Sequence, residues 1–171
     1  SMHLPNHLAI GWLIGHGDAA RRNRLLIAWA GVAPDVDALT LLFGQEAYGV
    51  WHHVLCHGVA FAMVVTAAVF AASRNFRVAA LACLSFHLHL VADLLGSGVE
   101  WPIVYFYPFS RAELQFPWGW ELASWQNTTI MIALLVAMAF TAKRRGITFA
   151  EAFLPARVAD EVAKTVRRWV S

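Results

Sequence analysis

Long apolar runs, separated by short polar clusters, organise this chain. A membrane crossing needs roughly 20 mostly apolar residues. Residues 54–73, 78–95 and 122–142 meet that requirement. Residues 25–43 are long enough but carry Pro34, Asp35 and Asp37. Residues 4–15 are short for a full span and suit a tilted helix, a half-helix or an interfacial one. After Gly146 the pattern changes. Val158, Val162, Val166 and Trp169 recur at helical spacing, with Arg157, Lys164, Arg167 and Arg168 supplying charge. That is the pattern of a helix lying on a membrane surface. The expected architecture is all-α: a polytopic membrane helical bundle of about five segments over residues 1–146, then a C-terminal amphipathic surface helix over 147–171.

Basic clusters suggest how such a bundle is oriented, because lysine and arginine accumulate on the cytoplasmic side. Arg21, Arg22 and Arg24 separate the first two segments, Arg74 and Arg77 the third and fourth, and Lys143, Arg144 and Arg145 follow the fifth. If all five segments cross, the three clusters share one side. The expectation is an integral inner-membrane protein with its N-terminus outside and its C-terminus cytoplasmic.

Composition agrees. Hydrophobic residues make up 59% of the 171 and charged residues only 14%, against about 25% charged in soluble domains. A net charge of +2, concentrated in clusters, argues against a nucleic-acid partner. Cys56 and Cys83 lie in apolar segments without a C-x-x-C pairing, so no disulfide framework is expected. The first residues lack the basic region of a cleavable signal peptide, and Ser1 ahead of Met2 reads as a cloning remnant.

The polar residues within this apolar frame are the chemistry. His7 opens the first segment; HHVLCHG, residues 52–58, opens the third; His89 and Asp93 fall late in the fourth; Asp35 and Asp37 lie midway along the second. On the five-span map all of them gather in the outer half of one bundle. His89 and Asp93 share a helix face at a spacing of four, whereas His87 lies about 200° around from His89. Pro34 disfavours helix at Ala33 and removes a backbone donor, so a break there could turn Asp35 and Asp37 toward one cavity. His53 and His57 share a face if the helix has already begun. Each residue alone has a structural explanation: an interhelical hydrogen bond, a helix cap, an interfacial histidine. Together, with no lysine or arginine in the outer halves to neutralise the carboxylates, they suit a divalent cation. Histidine with aspartate favours zinc, with manganese the alternative, in one or more ions.

The ordered set PNHLAIG, APDVD, H-x4-H from His52 to His57, H-x3-D from His89 to Asp93, and YPFS at residues 107–110 resembles the YdjM-type membrane-bound metal-dependent hydrolases, over roughly residues 5–112. The resemblance implies metal ligation by His7, Asp35, Asp37, His52, His57, His89 and Asp93. Through a more distant likeness it implies similarity to the zinc-dependent phospholipase C and P1 nuclease group. The family stretch usually reads HRGxTHS, and here His53 stands at the arginine, Val54 at the first glycine, Cys56 at the threonine and Gly58 at the serine. Arginine commonly clamps phosphate, so either another group serves, with Arg111 beside YPFS the candidate, or the substrate differs; His53, Tyr107, Ser110 and Arg111 are the candidate substrate contacts. The aromatic loop from Gly96 to Trp120 suits an interfacial belt, a lid beside the metals, or both.

The expected activity is metal-dependent hydrolysis of a phosphoester in a membrane lipid or lipid-linked substrate, with Asp37 or Asp93 managing the proton. A non-enzymatic alternative is a metal- or haem-binding membrane protein, His57 and His89 serving as axial ligands, or a divalent-ion transporter. The sequence does not specify the oligomeric state.

Overall fold

The structure, a computed structural model, describes residues 3–170; its regular elements are helices, joined by non-helical chain at 52–58 and 97–124, with one isolated bridge between Ile103 and Leu114. Helix α1 (Leu4–Gly15) starts with Pro5 in its first turn, where a missing backbone N–H costs nothing. Helix α2 (Arg21–Ala30) stops at Gly31 and is followed by a 3-10 segment, Ala33–Phe43. Then come α3 (Gln45–Trp51), α4 (Val59–Ser73), α5 (Phe76–Gly96) and α6 (Trp125–Arg145). A 3-10 turn, Phe149–Ala152, leads into α7 (Ala156–Val170).

Helices α5 and α6 are long and apolar enough to cross a membrane; α2 and the 3-10 segment make a third crossing if their 52° bend lies within one span. The expected count of five is not matched by five full-length spans. At ~1.5 Å per residue, the 15 residues of α4 reach only about 22 Å of a hydrocarbon layer of ~30 Å. The difference arises at its start. Residues 52–58 turn back on themselves, so the helix begins at Val59 and not at Val54. The apolar side chains turned outward along α4, α5 and α6, among them Val64, Leu88, Val91, Leu135, Val136 and Phe140, form the surface lipid would cover.

A close crossing of α1, α2 and α5 positions the polar centre. A Cβ added at Gly11 would fall 2.6 Å from Ser85 Oγ and 2.8 Å from the Ala28 carbonyl oxygen, and one added at Gly31 would collide with Ser85 Oγ. Only glycines at both places let the three backbones approach this closely. His7 is one turn before Gly11 on α1, and His89 is one turn after Ser85 on α5. The contact therefore sets these two imidazoles face to face, with ring centroids 3.7 Å apart. Apolar layers buried around the crossing include Leu8, Trp12 and Ala28 on one side, and Ile27, Val78 and Ala82 on another. Phe86, Leu90 and Ile103 close the end near the loop of residues 97–124.

At the opposite end the basic residues gather. Arg22 donates to the Ala72 carbonyl oxygen at 2.8 Å, and Arg24 grips Glu151 through Nε and Nη2 at 2.7 and 2.6 Å. Trp12 Nε1 donates to the same carboxylate at 2.7 Å, and Arg21 donates to the carbonyl oxygens of Glu151 and Leu154. The chain after Gly146 is thus latched to α1 and α2 before α7 begins. Helix α7 packs through Ala159 and Ala163, with Val162 and Val166 half-buried, while Val158 and Trp169 of the expected apolar stripe remain exposed.

Candidate metal centre

Four parts of the chain supply the centre: α1 gives His7, the 3-10 segment Asp35 and Asp37, the 52–58 loop its three histidines, and α5 His89 and Asp93. All eight side chains are buried. Pro34 breaks the helical run as its chemistry requires, and the tighter 3-10 winding sets residues two apart at about 120° instead of the ~160° of an α-helix. Asp35 and Asp37 thereby approach the ring of His57 at different nitrogens.

A neutral imidazole carries one proton, and a nitrogen held at hydrogen-bond distance from an oxygen that can only accept takes it. His89 Nδ1 donates to the Gly31 carbonyl oxygen at 2.7 Å, and His57 Nδ1 donates to Asp37 Oδ2 at 2.9 Å. His53 Nδ1 donates to the Trp101 carbonyl oxygen at 3.3 Å. Where a ring is neutral its Nε2 is then a bare lone pair, and all three Nε2 atoms converge on Asp93 Oδ2: His89 at 3.1 Å, His57 at 3.4 Å and His53 at 3.4 Å. Against the effect of burial, the Asp37 and Asp93 carboxylates push the His57 imidazole up to about 9, so a proton and a metal cation compete for its Nε2. The Nε2 atoms of His57 and His89 lie 3.3 Å apart. His7 Nε2 stands 3.2 Å from the other oxygen, Asp93 Oδ1, which also accepts from Ser97 Oγ at 3.2 Å. Asp35 Oδ1 is 3.7 Å from His89 Nε2, and both Asp35 carboxylate oxygens are buried without a hydrogen-bond partner.

Acceptors meeting acceptors in a buried place are reconciled by a shared proton or by a cation, and the spacing here could admit a metal ion. Asp35, His57, His89 and Asp93 each offer an atom within 4.8 Å of the others, as do Asp37, His52 and His57. The two groups share His57, which presents Nε2 to the first and Nδ1 to the second. Nitrogen and carboxylate donors of this kind fit a divalent metal ion. Axial haem ligation does not match them, because it requires imidazoles on opposite faces of a flat macrocycle, whereas these nitrogens and the carboxylate meet at a point.

Both oxygens of Asp37 are engaged where it lies. It accepts from His52 Nδ1 at 2.6 Å, His57 Nδ1 at 2.9 Å and the Cys56 backbone N–H at 3.2 Å. His52 stacks on Tyr48 and lines a cavity of about 270 Å³ with Glu100, Trp101 and Glu113. Burial pushes the His53 imidazole down to about 4, against the opposing pull of Asp93, so this ring is neutral. His53 is therefore inside the cluster, not at a water-facing rim. The helix face that would pair it with His57 does not form, because His53 has φ +68° in a non-helical loop.

The other candidate contacts stand apart. Tyr107 is half-buried, Ser110 is exposed with its Oγ accepting from the Ala112 N–H at 3.1 Å, and Arg111 is exposed. Arg111 lines a second cavity, about 320 Å³, which shares Val50, Val54, Val104 and Glu113 with the cavity beside His52. His87 turns away, as its spacing predicts, donating from Nδ1 to the Cys83 carbonyl oxygen at 2.8 Å and meeting the Tyr105 hydroxyl at 2.9 Å. The groups that sequence reasoning misses are backbone ones. The carbonyl oxygens of Gly31 and Trp101 and the N–H of Cys56 fix the tautomers and the anchor, and a residue string carries no signal for them.

The fold and the centre define an all-helical membrane-type protein with a buried histidine–aspartate cluster that could hold a metal ion. The family model for the YdjM inner membrane protein matches residues 2–166, and the chain belongs to that family. Comparison with curated proteins and with solved structures gives no match.

Proposed function

We propose that this protein is a membrane-embedded, metal-dependent hydrolase acting on a phosphoester of a lipid or lipid-linked substrate, with its site toward the outer face. One observation carries the reading: the Nε2 lone pairs of His57 and His89 and the carboxylates of Asp93 and Asp35 meet in a buried place where a cation is the missing partner. His7, Asp35, His57, His89 and Asp93 surround that place and would hold the ion, zinc or manganese. When bound, a divalent ion supplies Lewis acidity toward water and the scissile ester.

The chain's own groups do the rest. Asp37 holds His57 by Nδ1 and so aims Nε2 at the centre, the orienting role of an outer carboxylate. It also pairs with His52 Nδ1, leaving His52 Nε2 as a buried lone pair beside the smaller cavity. His52 would take the proton there while Asp37 balances the charge, so Asp37 manages the proton through His52. Arg111, in the adjoining cavity, would bind the phosphoryl oxygens. Trp101 packs edge-on against His52 and His53 and excludes water from that side. The outer location is supported by the gathering of the basic clusters at the opposite end of the bundle.

The test is elemental analysis of detergent-purified protein, followed by assay of headgroup phosphate release from phospholipid vesicles. Near-stoichiometric zinc or manganese in the parent is expected, with loss of metal and hydrolysis in both His57→Ala and Asp93→Ala while each stays monodisperse. Undiminished phosphate release from either variant would remove the assigned site. Metal binding without hydrolysis of any phosphoester offered would leave a binding protein or transporter.

A further inference from the structure

We infer that His53 is a further imidazole ligand of the metal centre, bonding through Nε2 beside His57 and His89. This rests on the metal-binding part of the reading above and not on the hydrolysis.

Three independent features converge on this ring. Its Nδ1 proton is committed to the Trp101 carbonyl oxygen at 3.3 Å, so Nε2 carries the lone pair. That Nε2 is buried and has no hydrogen-bond partner, in a residue 1% exposed. It stands 3.4 Å from Asp93 Oδ2, the same oxygen that His57 and His89 address. A hydrogen bond from the carboxylate cannot satisfy it, since an ionised carboxylate has no proton to give.

The backbone adds a further argument. His53 sits at φ +68°, a conformation that costs a side-chain-bearing residue on the order of 1–3 kcal/mol and persists only where the surroundings enforce it. The enforcement is visible: the Val104 N–H donates to the His53 carbonyl oxygen at 3.1 Å, and the ring is held edge-on by Trp101. Loop 52–58 is thus wound so that His53 and His57 present their Nε2 atoms to one carboxylate. A histidine whose only task was packing would need neither the left-handed backbone nor a lone pair aimed at an anion.

With His53 counted, the donor set is four imidazoles, those of His7, His53, His57 and His89, with Asp93 and Asp35. Imidazole suits zinc and cobalt, whereas carboxylate and water suit magnesium and manganese. His53 therefore sets which metal is kept, and removing it moves the preference toward manganese.

The experiment uses full-length protein in detergent, loaded with Co²⁺ as a spectroscopic probe. Affinity is read by competition with a chromophoric chelator, and the number of bound imidazoles by X-ray absorption. His53→Gly is the first variant, because glycine accepts the left-handed backbone and leaves the loop intact. His53→Asn, which also tolerates that conformation, is the second if the first is not monodisperse. Expected are one imidazole fewer at the ion, an affinity for Co²⁺ lower by about 100-fold or more, at or beyond the loss typical of outer-shell changes, and recovery of His53→Gly on adding free imidazole. An unchanged imidazole number in the variants overturns the inference, whatever the affinity, and leaves the metal centre standing. Failure of the parent protein to retain Co²⁺ or Zn²⁺ overturns the centre itself.

Discussion

Asp37 offers the sharpest separation of roles at the level of single side chains. It touches two imidazoles and a backbone N–H, all through donors, and this is the pattern of an anchor. Asp37→Asn keeps the size but replaces one accepting oxygen with an NH₂ that cannot accept from His52 or His57. The expected result is retained metal with affinity weakened about 10- to 100-fold, measured by chelator competition. Complete loss of metal would instead make Asp37 a ligand. The sequence displays these histidines and aspartates plainly, and their gathering from distant segments is legible once the apolar runs are mapped. Which nitrogen of each ring faces inward is not legible. That choice depends on the carbonyl oxygens of Gly31 and Trp101, partners 58 and 48 positions away from His89 and His53.

Among the secondary-structure elements, the decisive contact is the crossing of α1, α2 and α5 at Gly11, Gly31 and Ser85. Gly31→Ala forces a methyl group against Ser85 Oγ, and overpacking of this kind costs typically 1–3 kcal/mol. The thermal midpoint of the detergent-solubilised protein should fall, and metal affinity should fall with it, because His89 hangs from the Gly31 carbonyl oxygen. Ser85→Ala in the same chain should recover part of both. A Gly31→Ala protein with parental stability would show that the helices are not held at this distance. The glycines are visible in the sequence, but nothing local marks them as a three-helix contact. Pro34 is different: its consequence is local, and the break expected at Ala33 comes just before it, at residues 31–32, with Ala33 opening the 3-10 segment. The apolar run from Val54 is misleading for the opposite reason. Long-range bonds from Val104 N–H to His53 and from Val59 N–H to Tyr105 claim the first residues before a helix can.

For the whole molecule, metal and fold should be coupled. An ion bound by α1, the 3-10 segment, the 52–58 loop and α5 binds only the assembled bundle, so it stabilises by mass action, by ~2.7 kcal/mol at a free concentration 100 times the dissociation constant. Chelator treatment should lower the unfolding temperature, and restored zinc should raise it again, as followed by differential scanning fluorimetry. No shift would mean that the cluster is self-sufficient. The latch at the far end is a separate unit of stability. Glu151→Ala leaves Arg24 buried without its carboxylate, a change worth 3–5 kcal/mol in comparable pairs, whereas changing Arg24 and Glu151 together to leucine should cost less. Thermal midpoints of the single and double variants test that order.

That latch has a practical consequence for mapping which compartment each end occupies. Reporter fusions are naturally placed straight after the last apolar helix, at Gly146. A junction there severs Glu151 from Arg24 and Trp12, so the reporter would describe a bundle missing its clasp. Junctions beyond Leu154, whose carbonyl oxygen still receives Arg21, keep the clasp closed and report on the native arrangement.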